Sequence, residues 1–218
     1  MIDLHTHTIF SDGELIPAEL VRRAVAAGYQ AIALTDHVDQ SNIDLVVPRI
    51  AKAVNALRDM VPIAVMVGAE LTHVPPRQIA DLAKEARTLG AQIVVVHGET
   101  LVEPVLEGTN RAAIEAGIDI LAHPGLISDD EIVAARERGV TLEITARKGH
   151  SLANGHVAQR ASALGAPLTI NTDAHAPSDL ITAAFATLVL RGAGLDSKAV
   201  NTVFQRAQYL VEKALGRE

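Results

Sequence analysis

Histidine and carboxylate side chains crowd the first dozen residues of the sequence. Asp3, His5 and His7 occupy alternate positions in the segment DLHTHTIFSDG, and Asp12 follows in the short turn-like FSDG. In an extended strand this alternation places His5 and His7 on one face. Two imidazoles on one face can bind a divalent metal ion, although an HxH pair by itself also fits a polar strand with no ligand. The segment indicates metal binding without establishing it.

The same residue types recur where later apolar segments end. They are Asp36 and His37 in ALTDH, Glu70 in GAE, His97 in VVVH, His123 in LAHPG, and Asp173 and His175 in NTDAH. Burying so many ionisable groups together would cost several kcal/mol apiece unless something paired them. Cations at the centre of the cluster remove that penalty. The pattern therefore predicts a metal site.

Short apolar runs alternate with amphipathic segments along the chain, which sets how these side chains are positioned. We predict seven strands at residues 2–5, 31–36, 63–71, 92–97, 119–123, 140–145 and 167–173. We predict helices at 17–28, 45–60, 76–90, 110–117, 129–139 and 155–165, and two more after Leu180. Continuous apolar strands joined by helices indicate a parallel sheet covered by helices. Closure into a barrel would bring the strand ends to one rim, and an open doubly wound sheet is the alternative.

The composition limits the classes of function. The chain has 218 residues, 49% of them hydrophobic, and we expect one domain over residues 1–218. A net charge of -7 and only five aromatic residues disfavour nucleic-acid binding. With no cysteine, disulfides and thiolate metal sites are excluded. We find no signal peptide and no apolar run of the ~18 residues that a membrane span needs, so we expect a soluble cytoplasmic protein with no membrane partner.

Together, DLHTHTIFSDG, ALTDH, GAE, VVVH, LAHPG and NTDAH resemble the PHP family, named for polymerase and histidinol phosphatase domains. The motifs occur in the family's order between Asp3 and Pro177. The resemblance implies an α/β fold, a distorted (β/α)7 barrel of the PHP type. It also implies a metal-dependent phosphoesterase with up to three divalent ions per chain, and the nitrogen and oxygen donors suit zinc, manganese or iron.

Nine residues match the family's ligand positions. The resemblance implies His5, His7, Glu70 and Asp173 for one ion, His97 and His123 with a bridging Glu70 for a second, and Asp12, His37 and His175 for a third. Asp3 and Asp36 fall outside this set. We expect them to orient imidazoles, with solvated or capping roles as the alternatives.

Five other polar residues require an interpretation. We assign His73, which follows the third strand, no ligand role. We expect His150 and His156, beside a glycine-containing loop, to be solvated, although both could line the mouth of the site. Arg147 follows the sixth strand and could donate to phosphate oxygens or be a solvated loop cation. Asn154 is expected to cap the helix that follows it.

The expected reaction is hydrolysis of a small phosphate ester, most simply a phosphomonoester such as histidinol phosphate. A metal-activated hydroxide would attack phosphorus, and His175 or an ion-bound water would protonate the leaving oxygen. Thirty-two residues separate His37 from Glu70, enough for one helix and one strand, so we expect a small, open site without an inserted lid. The alternatives are a phosphodiesterase or 3'-to-5' exonuclease, and a metal-binding regulatory module without catalysis.

Overall fold

Seven parallel strands and one short extra strand form the sheet of the protein, which a computed structural model describes for residues 1–217. The strands are β1 (Ile2–Asp3), β2 (Ala31–Leu34), β3 (His37–Val38), β4 (Ala64–Leu71), β5 (Ile93–His97), β6 (Ile120–Ala122), β7 (Thr141–Thr145) and β8 (Leu168–Asn171). The sheet order is β1-β2-β4-β5-β6-β7-β8, and the short β3 pairs with β4. The predicted (β/α)7 barrel is confirmed, with β3 as an addition.

The barrel is nearly closed between β1 and β8. Thr6 and Ala174 form an isolated parallel bridge there. Below that bridge, the buried carboxylate of Asp3 accepts hydrogen bonds from the backbone N–H and the hydroxyl of Thr172, at 3.2 and 2.6 Å. A side chain thus joins two strands whose backbones form no continuous ladder. Asp3 binds the backbone N–H and the hydroxyl of Thr172 at this seam and, among the described residues, no imidazole ring, so the prediction that it orients one is wrong.

In residues 1–217 eight α-helices surround the sheet; six begin and end within three residues of their predicted bounds, and two follow Leu180 as predicted. They are α1 (Pro17–Ala26), α2 (Ile43–Leu57), α3 (Pro76–Thr88), α4 (Thr109–Glu115), α5 (Asp129–Arg138), α6 (Asn154–Leu164), α7 (Ala183–Gly192) and α8 (Ser197–Ala214). Two 3-10 turns, His150–Ala153 and Pro177–Asp179, follow β7 and β8. Within residues 1–217, no helix combines the length and the apolar character that crossing a bilayer requires.

Strand alternation divides the apolar side chains into two cores. One face of each strand packs against the surrounding helices, as Leu34 and Ile144 do. The other face fills the barrel with Leu4, Met66 and Val95, among others, and α8 closes its amino-terminal end with Leu210. This end is therefore plugged by apolar side chains, and the polar strand ends gather at the opposite, carboxyl-terminal rim.

Candidate metal centre

The carboxyl-terminal rim brings all nine predicted ligands together. Four groups of residues place one ligand-type atom each within 4.8 Å of the others in the same group. The groups are His5, His7 and Glu70; His5, His123 and Asp173; His7, Asp12, His37 and His175; and His97, His123 and His150. A fifth group, His73, His97 and Glu103, lies at the mouth. Residues at the ends of all seven barrel strands thus share one centre, and three of them, His73, Glu103 and His150, were not predicted as ligands.

The first group is buried at the middle of the rim. His5 Nε2 lies 3.2 Å from Glu70 Oε1, and His7 Nε2 lies 3.0 Å from Asp173 Oδ1. On the other edge of its ring, His5 donates from Nδ1 to Glu143 Oε2 at 2.9 Å. A neutral His5 then presents an unprotonated Nε2 to the Glu70 oxygen. A lone pair that faces a carboxylate oxygen is repulsive unless a proton or a metal ion lies between them, and for the neutral ring a divalent ion meets that requirement.

Asp12, His37 and His175 form a regular triangle of ligand atoms. Asp12 Oδ1 lies 3.4 Å from His37 Nε2 and 3.2 Å from His175 Nε2, and the two nitrogens are 3.4 Å apart. His175 donates from Nδ1 to the Asp173 carbonyl at 2.9 Å, so its Nε2 carries a lone pair. Ligands about 2.0–2.1 Å from a tetrahedral ion lie about 3.3 Å from one another. The triangle therefore fits three ligands of one ion.

Glu70 connects these two groups. Its Oε2 lies 2.6 Å from His37 Nδ1, while its Oε1 faces His5. Among the described residues, no Glu70 oxygen lies within 4 Å of a nitrogen of His97 or His123. The carboxylate thus links the first and third groups directly, whereas the family resemblance implies a bridge between the first ion and the second.

Buried polar atoms without a hydrogen-bond partner concentrate at this centre. In the described part of the chain they include His5 Nε2, both nitrogens of His7 and of His123, Glu70 Oε1 and Asp173 Oδ1. An unsatisfied buried polar group costs about 1–3 kcal/mol. Nitrogen and carboxylate oxygen donors are ligands of Zn²⁺, Mn²⁺ and Fe²⁺. The residues present therefore fit a cluster of divalent ions.

The protonation states of four residues suit metal binding, whereas neighbouring carboxylates outweigh burial and raise the pKa of His5, His37 and His97, which a bound ion would have to deprotonate. Burial lowers the pKa of His7 to about 4 and that of His123 well below its ordinary value, so both rings are neutral at pH 7. Burial raises the pKa of Glu70 and Asp173, but the neighbouring imidazoles outweigh burial, and both carboxylates are ionised. Burial raises the pKa of Glu143 to about 7, although the positive charge of His5 lowers it. A cation at His5 would act in the same direction as that charge and favour ionised Glu143.

Asp36 organises the loop that carries Asp12. Its Oδ1 accepts from the Thr8 backbone N–H and from the Ser11 hydroxyl, both at 2.8 Å. The turn ends at Gly13, where a Cβ would lie 2.5 Å from the carbonyl oxygen of His7. Asp36 contacts no imidazole within the described residues. The prediction that it orients one is wrong, because its hydrogen bonds fix the backbone of the ligand loop.

Three histidine or aspartate residues of the centre have a positive φ. The values are 52° at His73, 29° at His123 and 52° at Asp173. Such conformations cost non-glycine residues about 1–3 kcal/mol each and persist where surrounding contacts enforce them. Two of these residues are predicted ligands, so the strain falls where the chain must aim a side chain at the centre.

A cavity of about 280 Å³ opens onto the centre. Its lining comprises Asp12, His37, Thr72, His73, His97, Glu103, Arg147, His150, Asp173 and His175. Arg147 lies on its wall, where Asp179 accepts from one guanidinium nitrogen at 3.0 Å. A larger cavity of about 580 Å³ lies between α6 and α8, and its described lining contains no histidine or carboxylate. The chemistry therefore belongs to the smaller cavity.

Three sequence-based expectations near the site require correction. His150 is buried in the 3-10 turn after β7 and faces the centre, so it is not solvated. His156 is part-buried and donates from Nε2 to the Ile127 carbonyl at 2.8 Å, away from the centre. Asn154 does not cap α6; its amide exchanges two hydrogen bonds with the backbone of Thr145 and holds the end of β7.

Two carboxylates of the centre were missed by sequence reasoning. Glu143 lies inside β7, and a charged residue on the barrel-facing side of an apolar strand was an available signal. Glu103 lies in the loop between β5 and α4, where its two oxygens reach His73, His97 and His150. No local pattern distinguishes Glu103 from the exposed acidic residue Glu107 on the same loop.

Comparison with known proteins gives both a family and relatives. The model of the PHP domain matches residues 3–161. An uncharacterized protein of Methanocaldococcus jannaschii is 50% identical over 97% of this chain and 98% of its own. A probable phosphatase of Thermoanaerobacter sp. is 28% identical, with 98% and 95% covered. The DNA polymerase/3'-5' exonuclease PolX of Bacillus subtilis is 27% identical over 79% of this chain, which is 34% of that protein.

The fold is also similar to that of solved structures. The histidinol phosphate phosphatase of Lactococcus lactis, crystallised with zinc, L-histidinol and phosphate, superposes with a TM-score of 0.57. The match covers 98% of this chain and 93% of that one at 18% identity. At this identity the likeness shows that the two chains share a fold.

Proposed function

Because the chain belongs to the PHP domain family, a family of metal-dependent phosphoesterases, we propose that it hydrolyses a small phosphomonoester. One observation carries the proposal: the ligand groups of the metal centre meet in a single cavity that also holds the guanidinium of Arg147. The cavity of about 280 Å³ is close to the lower limit of small-molecule sites, about 300 Å³. A compact ester suits this volume better than a polymer.

Arg147 is the residue best placed to bind phosphate. Asp179 fixes its Nη1, and its Nε lies 3.9 Å from Asp173 Oδ2, so the guanidinium stands beside the metal ligands with further N–H donors free. A guanidinium can donate two parallel hydrogen bonds to a phosphate. Asp179 also accepts from the backbone N–H of His175 at 3.0 Å. One carboxylate thus positions the phosphate-binding group and the ligand loop together.

The metal ions supply the reactive chemistry. When bound, a cluster of divalent ions activates water at neutral pH and neutralises charge on the phosphoryl oxygens. The protein's part is to hold imidazole nitrogens and ionised carboxylates at the rim and to orient the ester through Arg147. The donor set supports zinc, manganese or iron, and the zinc in the L. lactis phosphatase makes zinc the first metal to test.

His175 is better suited to binding metal than to donating a proton. Its Nδ1 donates to the Asp173 carbonyl, and its Nε2 points at Asp12 and His37. Both ring nitrogens are therefore engaged, and neither is free for the leaving oxygen. Protonation of that oxygen by water is the simpler route.

Histidinol phosphate is the first substrate to test, since the L. lactis neighbour binds L-histidinol and phosphate. The experiment compares protein reconstituted with Zn²⁺, Mn²⁺ or Fe²⁺ on phosphomonoesters, dinucleotides and single-stranded oligonucleotides. We expect turnover of monoesters and none of oligonucleotides. Digestion of oligonucleotides would favour the exonuclease alternative, which the PolX relative represents. No turnover at full metal content would indicate a regulatory metal-binding module.

A further inference from the structure

We propose that Glu103 and His150 are additional ligands of the ion bound by His97 and His123. This proposal rests on the metal centre of the proposed function, but it concerns two residues outside the nine positions of the family pattern. It assigns a metal ligand to a loop at the mouth of the cavity.

His97 presents a lone pair to Glu103. Its Nδ1 lies 3.1 Å from the carbonyl oxygen of Gly98, and a carbonyl accepts only, so Nδ1 carries the proton. The Nε2 of the neutral ring is therefore unprotonated, and it lies 3.2 Å from Glu103 Oε2. Two electron-rich atoms at this distance need a cation between them, either a metal ion or a second proton on the ring. The same relation holds between His5 and Glu70, both predicted ligands.

His150 directs its ring at the same place. The Thr100 hydroxyl contacts its Nδ1 at 2.8 Å, which leaves Nε2 facing Glu103 Oε1 at 3.3 Å. The ring stacks on that of His123 at 4.2 Å, and both rings are buried. A ring fixed at one nitrogen with the other aimed into the site is the usual arrangement of a metal-ligating histidine. His97, His123 and His150 form one group of ligand atoms within 4.8 Å.

The loop holds Glu103 in place. Glu99 Oε1 accepts from the backbone N–H groups of Gly108 and Asn110, at 3.1 and 2.9 Å, which ties the start of the loop to its end. The Glu99 backbone also packs tightly against Gly125, where a Cβ would lie under 2.5 Å from the Glu99 carbonyl oxygen. Glu103 therefore stands on an anchored loop, and its position reflects the fold.

His73 supports Glu103 from the solvent side. Its Nε2 lies 3.1 Å from Glu103 Oε2, and its side chain is 43% exposed. Because no carbonyl fixes its tautomer, His73 can donate an ordinary hydrogen bond to the carboxylate. Glu103 itself is 38% exposed, against 4% for His97 and 8% for His150. Glu103 is thus the ligand of this ion most open to solvent.

The separations match those expected around one ion. The Glu103 oxygens lie 3.2 and 3.3 Å from the Nε2 atoms of His97 and His150. Ligands of a tetrahedral ion with bonds of about 2.0–2.1 Å lie about 3.3 Å apart. The ligand atom of Glu103 groups with those of His73 and His97, and His97 also belongs to the group of His123 and His150. Glu103 therefore joins that group through His97 and His150.

The test is metal binding by full-length variants with matched controls. Glu103→Gln and His150→Gln are compared with Glu107→Gln, an exposed residue of the same loop, and with His156→Gln, a histidine outside the centre. Zn²⁺ affinity is measured by competition with a chelating dye, and ions per chain by elemental analysis. Circular dichroism confirms that each variant is folded.

We expect Glu103→Gln and His150→Gln to weaken one Zn²⁺ site by about 10–100-fold and to leave the other sites unchanged. Both controls should bind as the unmodified protein does. In Co²⁺-loaded protein, Glu103→Gln should also change the visible spectrum, because a ligand is lost. Unchanged affinity and spectrum in Glu103→Gln would overturn the proposal. The contact between Glu103 and His97 would then be an ion pair without a metal ion. Absence of phosphatase activity at full metal content would contradict the proposed function instead.

Discussion

His5 Nδ1 lies 2.9 Å from Glu143 Oε2, and both side chains are fully buried inside the barrel. The carboxylate accepts a hydrogen bond from Nδ1 and thereby turns Nε2 toward Glu70 and Asp173. It also holds the ring at one angle. A residue on β7 thus determines how a residue after β1 meets a metal ion, although 138 positions separate them in sequence.

Glu143→Ala should weaken metal binding at His5 by about 10–100-fold, because the ring loses the partner that fixes its tautomer. Glu143→Gln should lose less, since the amide oxygen still accepts from Nδ1. Competition titration with Zn²⁺ measures both. Glu137→Gln, on the exposed face of α5, is the control. Equal affinity in the alanine variant and the unmodified protein would show that Glu143 does not support metal binding at His5.

Glu70→Ala should lower metal content and abolish hydrolysis together. Its carboxylate contacts His5 through one oxygen and His37 through the other, so two ligand groups lose a partner. Elemental analysis should show fewer ions per chain than in the unmodified protein. Full activity with full metal content would contradict the metal centre. Asp81→Ala, at an exposed position of α3, controls for the loss of a carboxylate.

Asp36→Asn should lower the free energy of unfolding by about 1–3 kcal/mol, because an amide cannot accept from all the donors on Thr8 and Ser11. Urea denaturation measures this change. The variant should also bind the ion of Asp12 less tightly, since the ligand loop loses its anchor. A variant as stable as the unmodified protein would show that these hydrogen bonds contribute little.

Arg147→Ala should reduce kcat/KM by about 10–100-fold for the best phosphomonoester, with metal content unchanged. The estimate corresponds to the loss of a charged hydrogen bond of about 1.5–3 kcal/mol. Arg147→Lys should recover part of the loss, because it restores charge without the two-pronged geometry. Lys148→Ala, at an exposed neighbouring position, should retain activity. Full activity in Arg147→Ala would exclude a role in phosphate binding.

Removal of metal should destabilise the protein. The centre then keeps buried nitrogen and oxygen atoms without partners, among them those of His7 and His123. A ligand present at 100 times its Kd stabilises the folded state by about 2.7 kcal/mol. Thermal melting with and without a chelator should therefore give a lower Tm without metal, restored by Zn²⁺. An unchanged Tm would mean that the cluster binds no ion tightly.

The sequence by itself determined the barrel and the nine residues that gather at its rim. In a parallel β/α fold, the apolar run of a strand and the polar residue that ends it are adjacent in sequence. A local pattern such as VVVH or NTDAH therefore specifies both the element and the end at which its side chain emerges. The alternation of side chains in a strand also predicted that His5 and His7 share a face.

The tertiary structure decided the partners of those residues. Glu103 joins His97 because a loop closed by Glu99 crosses the rim. Glu143 meets His5 because β7 and β1 flank β8 in the barrel and both side chains point inward. Asp3 and Asp36 have the residue type of ligands, yet backbone N–H and hydroxyl donors from distant segments take up their oxygens. Such pairings depend on the paths of loops and on which strands become neighbours. Both arise from packing of the whole chain, which no local pattern encodes.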